Sequence, residues 1–334
     1  AFAKGHSASY AVESYQSLFL KTYYPLEYMV ATINNYGGFY RTELYMLEAR
    51  LYGGIIHPPC INLSFLDTTI YGKDIYLGFH LLHGFEIENA ARIVAERQEK
   101  GLFKDFDDFI DRVGLSLEQI STLILINAFG FTQKNKRTLL WEAHLKLGKS
   151  NQKKSPSMAS YIVRDLFRIQ RPEYEIPSFE SSWQEDAFDQ IELLSFSLHS
   201  VFDLLTDDNI QEMLSKNLSK HIGEKVWVKG YLIHRKHVVT KSGQAMYFGT
   251  FLDREGQWLD TVHFAEIAKK YPFRGTGVYK IFGKIIEDYD CIHVEAEYME
   301  RLATMEDPRY REARDEEKEK QVVTRNRRID YRAS

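Results

Sequence analysis

Three groups of side chains in this 334-residue sequence combine charge, hydrogen-bond donors and flat rings in ways suited to gripping a phosphate-bearing polymer. Near the start, Lys4 offers a point charge, His6 a ring N–H donor and Tyr10 a flat face, and positions 6 and 10 fall on one side of a helix. Between Gln133 and Lys154 the cations Lys134, Lys136, Arg137, Lys146, Lys149, Lys153 and Lys154 face a single acid, Glu142. Exposed cations neutralise phosphates regardless of sequence, with an affinity that falls as salt rises. Further on, His234, Arg235, Lys236, His237 and Lys241 cluster beside the aromatic residues Trp227, Tyr231, Tyr247, Phe248, Phe251 and Trp258. Alternation along a strand sends about half of those rings into a core, and the rest are free to stack bases. Tyr231, Tyr247 and Trp258 are the stacking candidates. Each group also has a packing reading, in which Tyr10 is core, His6 a satisfied polar residue and the cations a solvated face. The acid pairs Asp107-Asp108 and Asp288 with Asp290 imitate a metal site, but helix surfaces and turns place such pairs routinely, so no metal site is expected from them.

Composition narrows the class. Hydrophobic residues make up 44% of the chain and aromatic residues 14%, enough to bury real cores, and the length favours two or three domains. Cys60 and Cys291 lie too far apart in the sequence to suggest a zinc site or a disulfide framework, which suits a reducing cytosol. No apolar run approaches the ~20 residues of a membrane span, and the N-terminus lacks the order of a signal peptide. The expected location is cytoplasmic. A formal net charge of −4 argues against a uniformly basic binder, so any phosphate contact must be local.

Periodicity supplies the elements that hold these residues. Residues 1–74 read as helices with one small β insertion: Pro25 opens a helix with Leu26, Met29, Val30 and Ile33 on one face, and a helix over Thr42 to Leu51 follows. Residues 75–148 read as short helices punctuated by Gly84, Gly101 and Gly114, with a nearly apolar one from Ser116 to Phe129 that must be buried. Residues 149–205 form a linker and a helix over Trp183 to Leu205. From about Ile222 the period changes to two. Five strand-like runs, Val226 to Ile233, Ala245 to Leu252, Trp258 to Phe264, Val278 to Ile286 and Ile292 to Met299, have a short helix after the third. That order is the one found in an OB-fold, here assigned to 206–305, with a densely charged tail over 306–334. The fold class is therefore α+β and multidomain, helices followed by a five-stranded OB-fold β-barrel.

The opening run Phe2-Ala3-Lys4-Gly5-His6-Ser7-Ala8-Ser9-Tyr10-Ala11, continued by Leu20-Lys21-Thr22-Tyr23-Tyr24-Pro25-Leu26-Glu27-Tyr28-Met29, resembles the late fingers segment of C-family bacterial DNA polymerases, the alpha subunit of DNA polymerase III. The resemblance continues through His57-Pro58-Pro59-Cys60-Ile61-Asn62-Leu63-Ser64, Leu77-Gly78-Phe79 and Asn127-Ala128-Phe129-Gly130, and so covers nearly the whole chain. Gly38-Phe39-Tyr40 and Leu139-Leu140-Trp141-Glu142 look more like the error-prone branch of that family. The resemblance implies that the chain begins inside the fingers, that Lys4, His6 and Tyr10 line the incoming-nucleotide pocket, and that the palm aspartates with their two magnesium ions lie upstream. It implies no cofactor in this segment. Leu81-Leu82-His83-Gly84-Phe85-Glu86 falls where the family has a helix-hairpin-helix turn with two glycines. Here only Gly84 remains, and Glu86 in the second glycine's place repels phosphate. From Glu86 to Arg112, eight acidic residues against five basic ones add weight to a structural role for this turn. Gly84, Lys134, Lys136 and Arg137 are the implied duplex contacts. Arg164-Asp165-Leu166-Phe167 falls where the family has a sliding-clamp motif, but with Val163 where glutamine is usual an amphipathic packing helix is the preferred reading of Asp165, Leu166 and Phe167.

The expected function is a DNA-binding part of a polymerase that holds primer, template and single-stranded DNA, with the clamp and other replisome subunits as partners and no membrane. The competing readings are a stand-alone OB-fold module for nucleic acid and an interaction module whose barrel binds protein.

Overall fold

The computed structural model describes residues 4–147, 182–206, 211–240 and 243–310. Two compact units result, one from residues 1–38 and 53–198, the other from residues 39–52 and 199–334.

The first unit is mainly helical. Helix α1 (Lys4–Tyr23) buries none of its residues against the described ones, whereas α2 (Pro25–Asn34) starts on Pro25 and buries Leu26, Met29, Val30 and Ile33 along one stripe. Strands β1 (Ile55–His57), β2 (Thr69–Tyr71) and β3 (Asp74–Tyr76) form a small sheet with β3 central, parallel to β1 and antiparallel to β2. Helix α4 (Ile87–Lys100) buries Ala90, Ile93 and Arg97; the Arg97 guanidinium lies over the Phe65 ring at 4.7 Å and donates to Ile61 O at 2.7 Å. Helix α5 (Phe106–Val113) begins at Asp105, whose carboxylate accepts from the Asp108 N–H, and α6 (Leu117–Leu125) begins at Ser116, which accepts from the Gln119 N–H. Phe103, Phe106, Phe109 and Phe129 meet edge to face with centroids 5.0–5.1 Å apart, and all are fully buried. Helix α7 (Lys136–Leu147) and α8 (Trp183–Leu194) pack on α6. The helix expected over Trp183 to Leu205 stops at Leu194, because Ser195 turns to a left-handed conformation (φ 71°) and its N–H closes on Ile191 O.

The second unit is a closed barrel of β4 (Lys225–Val239), β5 (Ala245–Leu252), β6 (Trp258–His263), β7 (Val278–Asp288) and β8 (Cys291–Arg301), in the order β4-β5-β6-β8-β7. Helix α9 (Ala265–Lys270) follows the third strand, and β6 pairs with β8 in parallel while the other pairings are antiparallel. This is the OB-fold topology. Val228, Phe251, Leu259, Tyr279, Ile281, Ile285 and Val294 fill the interior. Gly283 sits at a bulge in β7 where a Cβ would come within 2.3 Å of Glu295 O, so the strands approach there only without a side chain. Helix α3 (Thr42–Leu51), read in sequence with the first helices, packs in this unit. Its Glu43 carboxylate accepts from the Tyr231 hydroxyl at 2.9 Å, and Arg41 lies 3.4 Å from Glu43.

His263 closes the barrel core. Its Nε2 lies 2.8 Å from Thr261 Oγ1, which itself bonds Gly249 O, and its Nδ1 has no partner among the described residues. Burial lowers its pKa to about 4. Below the usual histidine pKa of ~6.5 the unfolded chain takes up a proton that the folded barrel refuses, so stability falls as the pH drops from there towards 4, by up to about 1.4 kcal/mol per pH unit. Urea unfolding between pH 7 and 4 should show this slope in the parent chain and a shallower one in His263→Asn; equal slopes would contradict the assignment.

Candidate nucleic-acid interface

The cationic residues read as a loop between the first two barrel strands stand on the strands themselves. β4 continues to Val239, six residues beyond its expected end, and pairs His234 with Thr250, Arg235 with Gly249, Lys236 with Phe248 and His237 with Tyr247. Thr240 and Gln244 close the hairpin, with the Thr240 N–H donating to Gln244 O at 2.8 Å. A bulge between Leu232 and His234 turns this extension out of the barrel wall.

Alternation then fixes two faces. Arg235, His237 and Tyr247 share the face that leads into the barrel: the Tyr247 ring lies 5.1 Å from His237 and 5.7 Å from Phe273, with the Arg235 guanidinium 5.9 Å from both Tyr247 and Phe273. The opposite face carries His234, Lys236, Phe248, Thr250, Trp258 and Asp260. Phe248 and Trp258 are both about two-fifths exposed, and His234 and Lys236 are exposed beside them. Phe248 lies opposite Val262, four residues from Trp258 on the same strand, which spaces the two rings' backbones by roughly 13 Å. Thr250 donates to Asp260 Oδ1 at 2.8 Å in between, and Val262 pairs onward with Glu295, so the face also carries two acids. Sequence reasoning passed over Phe248 because alternation alone does not say which phase faces inward. The fully buried, inward Phe251 three positions on supplies that phase.

Tyr231 is a correction. Its ring is buried, its hydroxyl donates to Glu43 and accepts from Arg41 at 3.3 Å, and burial with the nearby Glu43 charge pushes its pKa up to about 12. A base has no face of Tyr231 to stack on. Burial likewise raises the Glu43 carboxyl, against the opposing pull of Arg41 and the Tyr231 hydroxyl. Lys241 lies outside the described residues, as do Asp165, Leu166 and Phe167.

In the helical unit, Gly84 is exposed at φ 73°, a conformation that favours glycine, and starts the turn into α4. Two of the turn's amide donors are engaged from within the unit: the Glu86 N–H donates to Gln119 Oε1 at 3.0 Å and the His83 N–H donates to Leu193 O, while Gln119 Nε2 donates back to Gly84 O at 2.9 Å. Gln119 is buried at the start of α6, just after Gly114, so it ties two helix-hairpin turns together. Nothing in the local sequence around Gly84 announces that partner, 35 residues away.

The described part of the basic stretch is matched by acids, most of them from other segments, and Lys149, Lys153 and Lys154 lie outside the described residues. Lys136 is largely enclosed and lies 2.6 Å from Asp186 and 2.5 Å from Asp189, so it cannot reach a phosphate as expected. Arg137 pairs with Glu185 at 2.6 Å and Lys134 with Glu142 at 2.7 Å; both cations stay about half exposed. Lys146 pairs with Asp107. Lys4, His6 and Tyr10 are all exposed on α1, and the His6 and Tyr10 rings stack at 6.1 Å with planes 25° apart, which excludes the reading of Tyr10 as core.

A family profile described as a helix-hairpin-helix motif matches residues 53–139. An error-prone DNA polymerase of Mycobacterium bovis is 30% identical over 145 residues, 42% of this chain and 13% of that protein. The DNA polymerase III alpha subunit of Staphylococcus epidermidis is 27% identical over 293 residues, 81% of this chain and 25% of that protein. The chain is similar to DNA polymerase III alpha subunits and error-prone DNA polymerases. Error-prone DNA polymerase 3 of Agrobacterium fabrum extends the match to 89% of the chain at 26% identity, again over only 28% of its own length. The chain thus spans between about an eighth and just over a quarter of the length of these polymerases. Both branches of the family match, and no helix among the described residues is long and apolar enough to cross a membrane.

Removing the cation from the enclosed Lys136 cluster leaves two carboxylates side by side without the charge they share, one of them almost fully enclosed. Lys136→Met should therefore destabilise the helical unit by about 3 kcal/mol in urea unfolding, whereas Asp189→Asn, which leaves Lys136 paired with Asp186, should cost less. A loss under about 1 kcal/mol for Lys136→Met would show that the cluster is open to solvent.

Proposed function

We propose that this chain is a DNA-handling part of a bacterial DNA polymerase, and that its barrel holds single-stranded template across the outer face of β4, β5 and β6. The observation that carries the reading is the pair of exposed rings, Phe248 and Trp258, on the same face as His234 and Lys236. Flat rings stack on any base, and the cations beside them meet the backbone, which suits a strand read without regard to sequence.

The helix-hairpin-helix unit serves mainly as a scaffold in this account, since Gln119 already takes the Glu86 amide hydrogen and Leu193 that of His83. Lys134 and Arg137, half exposed at the start of α7, are the duplex contacts left open to phosphate. Lys4, His6 and Tyr10 present charge, donor and ring on exposed turns of α1, as an incoming-nucleotide wall requires. Bond-making, with its two magnesium ions, belongs to other parts of the parent polymerase.

Fluorescence anisotropy of a labelled oligothymidylate at low and high salt tests the barrel's role. Phe248→Ala should weaken binding about fivefold or more with little change in salt dependence, because stacking involves no counterions. Lys236→Ala should flatten the dependence of log affinity on log salt by nearly one. Absence of binding at low salt, or parent-like binding by both variants, would favour a barrel that binds protein.

A further inference from the structure

Phe39 and Tyr40, the first residues of the barrel's compact unit, meet edge to face at 5.2 Å with planes at 90°. Phe39 also meets the His234 ring at 5.3 Å and 72°. With Arg41, Glu43 and the bulge residue Ile233, these rings line a pocket of about 200 Å³. That is below the ~300–1,000 Å³ of a site for a drug-sized ligand and suits a single ring system. Phe39 stands 77% exposed, an unusual placement for a ring with no polar end. The Arg41 side chain is half exposed; it donates to the Tyr231 hydroxyl and faces Glu43 through Nη2, and a guanidinium carries five N–H donors in all. His234 belongs both to this pocket and to the outer face that carries Lys236 and Phe248, so the two are continuous.

We propose that this pocket receives one nucleobase turned out of the strand on the barrel face, with its ring against Phe39 and a carbonyl edge accepting from Arg41. Arginine donors select a base that presents carbonyl oxygen, so the occupant is thymine, guanine or cytosine rather than adenine. The inference rests on the strand-binding reading of the barrel and adds to it a subsite at one end of the face. It also gives Gly38-Phe39-Tyr40 a physical task, since the two rings of that motif form the pocket wall.

Photocrosslinking on the full chain tests it, using a thymidine octamer with 5-iododeoxyuridine placed at each position in turn and adducts located by mass spectrometry. One or two positions should mark the peptide that holds Phe39 and Tyr40, while other positions mark Phe248 or Trp258. Phe39→Ala, a change at an exposed ring, should remove the pocket adduct and weaken the octamer about fivefold. If the octamer binds but no position marks Phe39 or Tyr40, or if Phe39→Ala keeps both adduct and affinity, the pocket is overturned and the strand reading stands. If the octamer does not bind at low salt, both fall.

Discussion

Everything at the candidate interface follows from the two-residue period of a pleated strand. With Phe251 fixed in the core, Gly249 and Tyr247 must also point inward along β5, and Phe248 and Thr250 must point out. The ladder carries that phase to β4 and β6, so His234, Lys236, Trp258 and Asp260 share the outer face. A slip of one residue would exchange the two sets. Gly249 and Gly283 guard against it, because each lies where an added Cβ would collide with atoms of the neighbouring strand.

The other expected contacts are governed by charge balance within the fold. A lysine enclosed between Asp186 and Asp189 is held by the cost of leaving any one of the three uncompensated. The same logic applies in the barrel unit, where the enclosed Lys229 pairs with Glu212 at 3.1 Å and Arg254 shares that carboxylate. Around the hairpin, the side-chain amide of Gln119 does for the backbone what a bound phosphate would otherwise do. Many of the described cations and donors are thus engaged within the fold, while Arg235 and Lys236 stay exposed on the β4–β5 extension.

The barrel was legible because its strands alternate and its helix falls after the third run, two patterns that local sequence carries directly. The α2 stripe was legible for the same reason. The partners of Lys136, Arg137 and Tyr231 were not, since Asp189, Glu185 and Glu43 lie 53, 48 and 188 residues away in the chain. The strand extension to Val239 was also hidden, because a run of His, Arg and Lys lacks the apolar members that mark a strand. Its pairing comes from β5, whose own pattern was clear. The helix boundary at Leu194 escaped notice because serine rarely takes the left-handed conformation that ends it.

Fluorine NMR on protein labelled with 5-fluorotryptophan tests the outer-face assignment most directly, since the chain has four tryptophans. Trp227 is packed between Phe282 and Tyr298, with ring centroids 5.0 and 5.7 Å away, whereas Trp258 stands on the proposed path of the strand. Titration with an oligothymidylate at low salt should move the Trp258 resonance and leave that of Trp227 in place. Movement of Trp227, or of Trp141 or Trp183, with Trp258 unmoved would put the strand elsewhere on the molecule.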